Sequence, residues 1–234
     1  MKHLLILFTL MLSTTLFAQK EDPLRTDWAN LKRFQSDNAA IAIQKADEKR
    51  VVFMGNSITE GWIGAVPSFF EGKSYINRGI SGQTTPQMLL RFRQDVIALK
   101  PAVVVILAGT NDIAGNTGPT TIEQIMDNLA SMAELASVHG IAVVLSSVLP
   151  VYDYPWKPGL EPADKIVRLN QMIREYAARN RCIYLDYFSA MSDERNGLRA
   201  ELGYDGVHPN EAGYQVMGPL AEKAIQQALK KRRK

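Results

Sequence analysis

Ala102-Val103-Val104-Val105-Ile106-Leu107-Ala108 runs without a polar residue between Pro101 and Gly109. The run is too short for a free-standing helix, and valine and isoleucine fill its centre. A strand with one wet face alternates apolar and polar residues; this one is apolar throughout, so both of its faces are buried. Reading outward, Val51-Val52-Phe53-Met54 repeats the pattern and ends at Gly55. Ile141 to Leu145 and Cys182 to Leu185 repeat it again. Helical spacing fills the gaps. Trp28 to Lys45 places Trp28, Leu31, Phe34 and Ile41 on one side. Thr85 to Leu99 stops before Pro101, and Thr121 to His139 is closed by Gly140, a fitting residue just past a helix end. Pro162 to Asn180 and Glu211 to Lys230 complete the set. The expected fold class is α/β: a three-layer α/β/α sandwich with a flavodoxin-like, mainly parallel five-stranded sheet. In such sheets ligands bind beyond the C-terminal strand ends. That directs attention to Asn56-Ser57-Ile58-Thr59, Gly109-Thr110-Asn111-Asp112 and Ser146 to Pro158.

The ends of the chain read differently. Lys2 and His3 precede the apolar run Leu4 to Leu12, and small or polar residues lead to Ala18. This order of basic start, apolar middle and small residue at the cut predicts a secretory signal peptide over residues 1–18, with one domain over 19–234 and a secreted or periplasmic product. The apolar run is too short to span a bilayer, so stable membrane insertion is not expected. Cleavage removes Lys2 and takes the net charge from +3 to about +2. A balance so even gives no footprint for nucleic acid. The basic end Lys230 to Lys234 fits a solvated helix terminus, where cations suit the helix dipole, or a dock for an anionic surface. The single cysteine, Cys182, has no partner for an internal disulfide and reads as a structural thiol in a strand.

Elimination narrows the chemistry. Of three histidines, His3 leaves with the leader and His139 sits at a helix end, leaving His208 for acid–base work. One such histidine and one cysteine make a zinc site of common type improbable. No His-Glu-x-x-His, phosphate loop or Gly-x-Gly-x-x-Gly occurs, so no metal or organic cofactor is expected. Gly-x-Ser-x-Gly is absent as well, since Ile58-Thr59 follows Ser57. Ser57 directly after a strand suits either an exposed nucleophile or a helix N-cap. In Asp205-Gly206-Val207-His208-Pro209 the carboxylate lies three residues before the imidazole. It is able to bond one ring nitrogen and leave the other free for a serine proton.

Four segments, in order, resemble the four blocks of the SGNH (GDSL-like) hydrolases. Gly55-Asn56-Ser57-Ile58-Thr59 resembles the nucleophile block. Ile76-Asn77-Arg78-Gly79-Ile80-Ser81-Gly82-Gln83-Thr84 resembles the second. Gly109-Thr110-Asn111-Asp112 resembles the third, and Asp205-Gly206-Val207-His208-Pro209 the last. The resemblance implies a Ser57, His208, Asp205 triad and an oxyanion hole from Ser57, Gly82 and Asn111. The family's first block usually reads Gly-Asp-Ser; Asn56 stands where the Asp would be, which leaves the triad intact and removes a charge.

The implied activity is hydrolysis of short-chain esters, acetyl above all, on a small-molecule or polysaccharide substrate. Trp62, Tyr152, Tyr154 and Trp156 are the candidate substrate-binding aromatics. Trp62 also fits a place in the core, and the loop Val151 to Pro158 also fits a segment packed by its own rings. Two other readings stand beside this one. The first is a lipid or thioester hydrolase of the same mechanism, such as a lysophospholipase or a platelet-activating-factor acetylhydrolase-like esterase. The second is a non-catalytic carbohydrate-binding protein on the same fold.

Overall fold

The structure is a computed structural model that describes residues 27–43 and 49–232. The proposed leader, residues 1–18, lies outside the described residues. In chain order the elements are α1 (Gln35–Ala42), β1 (Val51–Gly55), α2 (Ser57–Ala65), β2 (Tyr75–Gly79), α3 (Thr85–Asp95), β3 (Val103–Leu107), α4 (Thr110–Ile113), α5 (Ile122–Val138), β4 (Ala142–Ser146), α6 (Pro162–Arg179), β5 (Ile183–Leu185), α7 (Phe188–Met191) and α8 (Glu211–Arg232). The five strands form one parallel sheet in the order β2-β1-β3-β4-β5, with Val51 opposite both Tyr75 and Val103.

The sheet is covered on both sides, which is why its central strands are apolar at every position. Successive side chains of a strand point to opposite faces. Val52, Met54, Val104 and Ile106 pack towards Met88 and Phe92 of α3, Ile125 and Leu129 of α5, and Leu169 of α6. Val51, Phe53, Val103 and Val105 pack towards Trp62 of α2 and Met217, Ala221 and Ile225 of α8. Thr121 and Gln124 form a capping box that starts α5. At its other end the Gly140 and Ile141 N–H groups return to the Ser137 and Ala136 carbonyls and close the last turn. No helix among the described residues is long and apolar enough to cross a membrane.

The helix expected over Trp28 to Lys45 is shorter than the spacing suggests. Asp27 accepts from the Leu31 and Lys32 N–H groups, and Asn30 takes a positive φ, so residues 27–34 fold as turns and α1 starts at Gln35. Residues 44 and 45 lie outside the described residues. β2, at the sheet edge, is a strand that hydrophobic patterning does not reveal, because Asn77 and Arg78 interrupt it.

The direction of winding changes between β1 and β3, whose neighbours lie on opposite sides. In an open parallel sheet this switch point opens a crevice at the C-terminal strand ends. Ser57 follows β1 and Asn111 follows β3, so both are delivered to that crevice.

Candidate active site

The turn after β1 is built to expose Ser57. Asn56 is the N-cap of α2, and its Oδ1 accepts from the Ile58 N–H at 3.0 Å. Asn56 therefore takes the capping role that Ser57 was also suited to, and Ser57 becomes the first helical residue with its hydroxyl free for other work. Asn56 is almost fully buried, and a neutral amide caps there without the cost of burying a carboxylate. A Cβ on Gly79 would collide with the Glu60 backbone, so only glycine lets the first turn of α2 settle on the end of β2.

Ser57 Oγ lies 2.9 Å from His208 Nε2, and His208 Nδ1 lies 2.8 Å from Asp205 Oδ2. Asp205 Oδ1 accepts from the His208 and Val207 N–H groups at 2.8 and 3.0 Å. Burial works against the Asp205 charge, but the bonds from His208 and Val207 outweigh it and hold the carboxyl below its ordinary value. The loop is pinned at its base. Tyr204 N–H donates to the His208 carbonyl, Asn210 N–H to the Leu202 carbonyl, and Asn210 Oδ1 accepts from Gly213 N–H in the first turn of α8. Further along α8, the Tyr214 hydroxyl donates to the Ile58 carbonyl at 2.8 Å. That bond ties the helix carrying the Asp205–His208 loop to the residue after Ser57.

A second loop borders Ser57. Gly82 has φ +77°, a left-handed conformation that glycine adopts without strain. Its carbonyl accepts from Asn116 Nδ2, and the next carbonyl, of Gln83, accepts from Asn111 Nδ2 at 2.9 Å. Asn111 has a second amide hydrogen to offer. Among the described residues no acceptor faces the Gly82 N–H, and the Ser57 N–H is one of the unpaired donors at the start of a helix. A hydroxyl in contact with an imidazole whose other ring nitrogen meets a carboxylate, beside uncommitted N–H donors, is able to attack a carbonyl and stabilise the oxyanion that results.

Arg91, wholly buried on α3, organises these loops from beneath. Its Nε donates to Gln83 Oε1 at 2.6 Å, and its Nη2 to the carbonyls of Gly55 and Arg78 at 3.1 and 2.9 Å. Its Nη1 pairs with Asp95 at 3.0 Å. Burial lowers its pKa to about 10 against the pull of Asp95, so it remains a cation at neutral pH. One side chain thus joins the end of β1, the end of β2 and the Gly82 loop.

Asp112 does different work. Both its oxygens accept from the Thr85 N–H, at 2.9 and 3.0 Å, and Oδ1 accepts from the Thr85 hydroxyl, which anchors the start of α3. Burial pushes its pKa up to about 6 against those bonds. A carboxyl whose pKa is raised on folding favours the fold while protonated, and that contribution is lost as pH rises from about 4 to about 6. Asp112→Asn removes the titration. In urea unfolding, the stability of the variant relative to wild type should rise by about 2 kcal/mol from pH 4 to pH 7, since a carboxyl with an unfolded pKa near 4 is already partly ionised at the lower pH. An unchanged difference would contradict this.

The aromatic residues divide. Trp62 is 2% exposed, stacked on Phe69 at 4.5 Å and on Tyr214 at 5.4 Å. Tyr154 is fully buried, its hydroxyl donating to the Thr110 carbonyl at 2.8 Å. Neither presents a face to a ligand, which corrects their candidacy as substrate-binding residues. Both are drawn inward by surface that only the core accommodates, and Tyr154 instead braces the strand end that leads to Asn111. Trp156 is half-exposed, with its ring centre 6.0 Å from that of His208, and Tyr152 is exposed under the Arg195 guanidinium. Away from the site, His139 Nδ1 lies 2.8 Å from the Leu135 carbonyl at the end of α5. Cys182 precedes β5 by one residue, partly buried, and burial pushes its thiol up to about 11. Among the described residues no group of three or more His, Cys, Asp or Glu is placed to hold a metal ion.

Residues 53–216, which include all five residues of the Ser57 site, match the model of the GDSL-like lipase/acylhydrolase family. The chain belongs to that family. Membership in the GDSL-like lipases and acylhydrolases makes it a member of an ester-hydrolase family. A GDSL-like lipase of Bacteroides thetaiotaomicron, known by its crystal structure, is 49% identical, with a TM-score of 0.83 over 86% of this chain and 99% of that one. The uncharacterized lipoprotein YqeF of Bacillus subtilis is 32% identical over 120 residues, 44% of this chain, and the match spans about half (49%) of that relative's length. An acetylxylan esterase of Geobacillus stearothermophilus is 23% identical over 197 residues, 72% of this chain and 90% of that relative.

Arg91, Asn210 and Tyr214 escape a reading of the sequence. Arg91 and Asp95 look like an exposed helical ion pair four residues apart, and a tyrosine on an amphipathic helix looks like core.

Proposed function

We propose that this chain is an exported serine esterase that hydrolyses short-chain esters, acetyl above all, carried on carbohydrate. The observation that carries the reading is the continuous hydrogen-bonded chain from Ser57 Oγ through the His208 ring to Asp205. Asp205 keeps the proton on Nδ1, leaving Nε2 to accept. As Ser57 Oγ bonds to the ester carbonyl carbon, its proton passes to Nε2 and the carbonyl oxygen becomes an oxyanion among the Ser57 N–H, the Gly82 N–H and the Asn111 amide. Each donor lowers the barrier by about 2–4 kcal/mol, because it is set before the charge develops. His208 then protonates the departing alcohol oxygen, the acyl group stays on Ser57, and water repeats the cycle.

The carbohydrate part of the reading is supported by Trp156 and Tyr152, two exposed rings on the loop bordering His208, and by the likeness to the Geobacillus acetylxylan esterase. Export follows from the leader read in residues 1–18, with residues 19–234 as the catalytic domain. Initial rates on p-nitrophenyl acetate, butyrate and octanoate test the acyl preference. Acetate should lead octanoate in kcat/KM by about tenfold or more, on the order of what a few methylenes are worth in a pocket. A maximum at octanoate would transfer the reading to a lipid esterase.

A further inference from the structure

Next to the Gly82–Asn111 side of the site lies an open cleft of about 470 Å³ that the chemistry above does not use. Its lining includes Trp28, Asp112, Thr117, Gln124, Asp127 and Asn128, with no lysine, arginine or histidine. Its floor is continuous with the active-site loops. Thr117 Oγ1 lies 3.0 Å from Thr84 Oγ1, Asn116 beside it donates to the Gly82 carbonyl, and Asp112 directly follows Asn111.

We propose that this cleft is a subsite for neutral sugar residues that flank the acylated one, with Trp28 as the stacking platform and Gln124 and Asp127 as the hydroxyl-binding groups. The proposal rests on the esterase reading and specifies its substrate. Trp28 is 39% exposed, yet its backbone is fixed: its carbonyl accepts from Gln87 Nε2 at 2.6 Å, and Asp27 closes the turn behind it. A fixed backbone at the rim reduces the conformational freedom that stacking has to remove. Among the described residues nothing accepts from Gln124 Nε2 and nothing donates to the Asp127 carboxylate, whereas Gln124 Oε1 is used in capping α5. The cleft therefore offers a π face, an amide donor and a double acceptor together. A pyranose matches all three, with an apolar C–H face and vicinal hydroxyls that donate and accept. An acyl chain would leave the polar groups buried and unpaired, which is costly. A phosphate-bearing headgroup would meet Asp127 with no cation to offset it.

The test uses the mature protein. kcat/KM is measured on acetylated xylo-oligosaccharides and on p-nitrophenyl acetate for wild type, Trp28→Ala and Asp127→Ala, the last being an exposed change that spares the fold. The ratio of the two values should fall about tenfold or more in Trp28→Ala and severalfold in Asp127→Ala, carried by KM. An unchanged ratio in both would overturn the subsite while leaving the esterase reading standing. Calorimetric titration of Ser57→Ala with xylo-, manno- and cello-hexaose tests the cleft even if no ester is turned over. Binding to one of them, lost in Ser57→Ala/Trp28→Ala, supports the subsite; binding to none overturns it.

Discussion

Ser57→Ala should lower kcat on p-nitrophenyl acetate by about 10⁵-fold or more, with KM within a few-fold of wild type. The hydroxyl makes its decisive bond only as the reaction proceeds, so its loss is felt in the transition state and hardly in the bound ester. His208→Ala should cost about as much, because a serine without its base is a weak nucleophile at neutral pH. The double variant Ser57→Ala/His208→Ala should be no worse than either single one within about tenfold, since groups that act as one unit are lost as one. Asp205→Asn should cost about 10⁴-fold, as the imidazole loses the partner that fixes its tautomer. Residual turnover would reflect the Ser57, Gly82 and Asn111 donors. Steady-state rates with purified variants check all four statements. Additive losses in the double variant would contradict a shared relay.

Arg91→Met should destabilise the protein by about 3–5 kcal/mol, because it leaves Asp95 as a buried charge without its cation and strips donors from the Gly55 and Arg78 carbonyls. For a chain of this size that lowers Tm by about 10 °C or more. Activity should fall further than unfolding explains. At a temperature where the variant is fully folded, kcat should still drop at least about tenfold, since the ends of β1 and β2 and the Gly82 loop lose their common tie. Arg91→Lys should rescue little, as an ammonium cannot reproduce the forked contacts of a guanidinium. Thermal unfolding followed by circular dichroism, with rates measured well below the variant's Tm, checks both parts. Wild-type stability in Arg91→Met would mean that the network is dispensable.

These two predictions mark how far the sequence alone reaches. β1, β3 and β4 are legible because burial on both faces demands an unbroken apolar run. β2 is not, because an edge strand tolerates polar residues, and Arg78 is buried there with two bonds to Asn38, one to the Asn77 carbonyl and the Phe34 ring 4.5 Å away. Ser57, Asp205 and His208 are legible because their spacing is tied to the chemistry they suit, and the fold sets them in contact across 151 residues of sequence. Asn111 and Gly82 stand out only through the blocks that contain them, since asparagine and glycine after strands are common in turns. Trp62 and Tyr154 were open to misplacement because an aromatic ring carries no mark of whether core or ligand covers it. Arg91 was invisible for the converse reason: an arginine four residues from an aspartate on a helix normally faces water.

The central claim is that Ser57 is an activated nucleophile, and covalent labelling tests it most directly. Mature protein incubated at neutral pH with a p-nitrophenyl alkylphosphonate should gain one adduct, located by peptide mass spectrometry on Ser57. Labelling should be slowed by about 10³-fold or more in His208→Ala, in keeping with the loss of its base. An adduct on another serine, or none from folded protein that still hydrolyses p-nitrophenyl acetate, would contradict it.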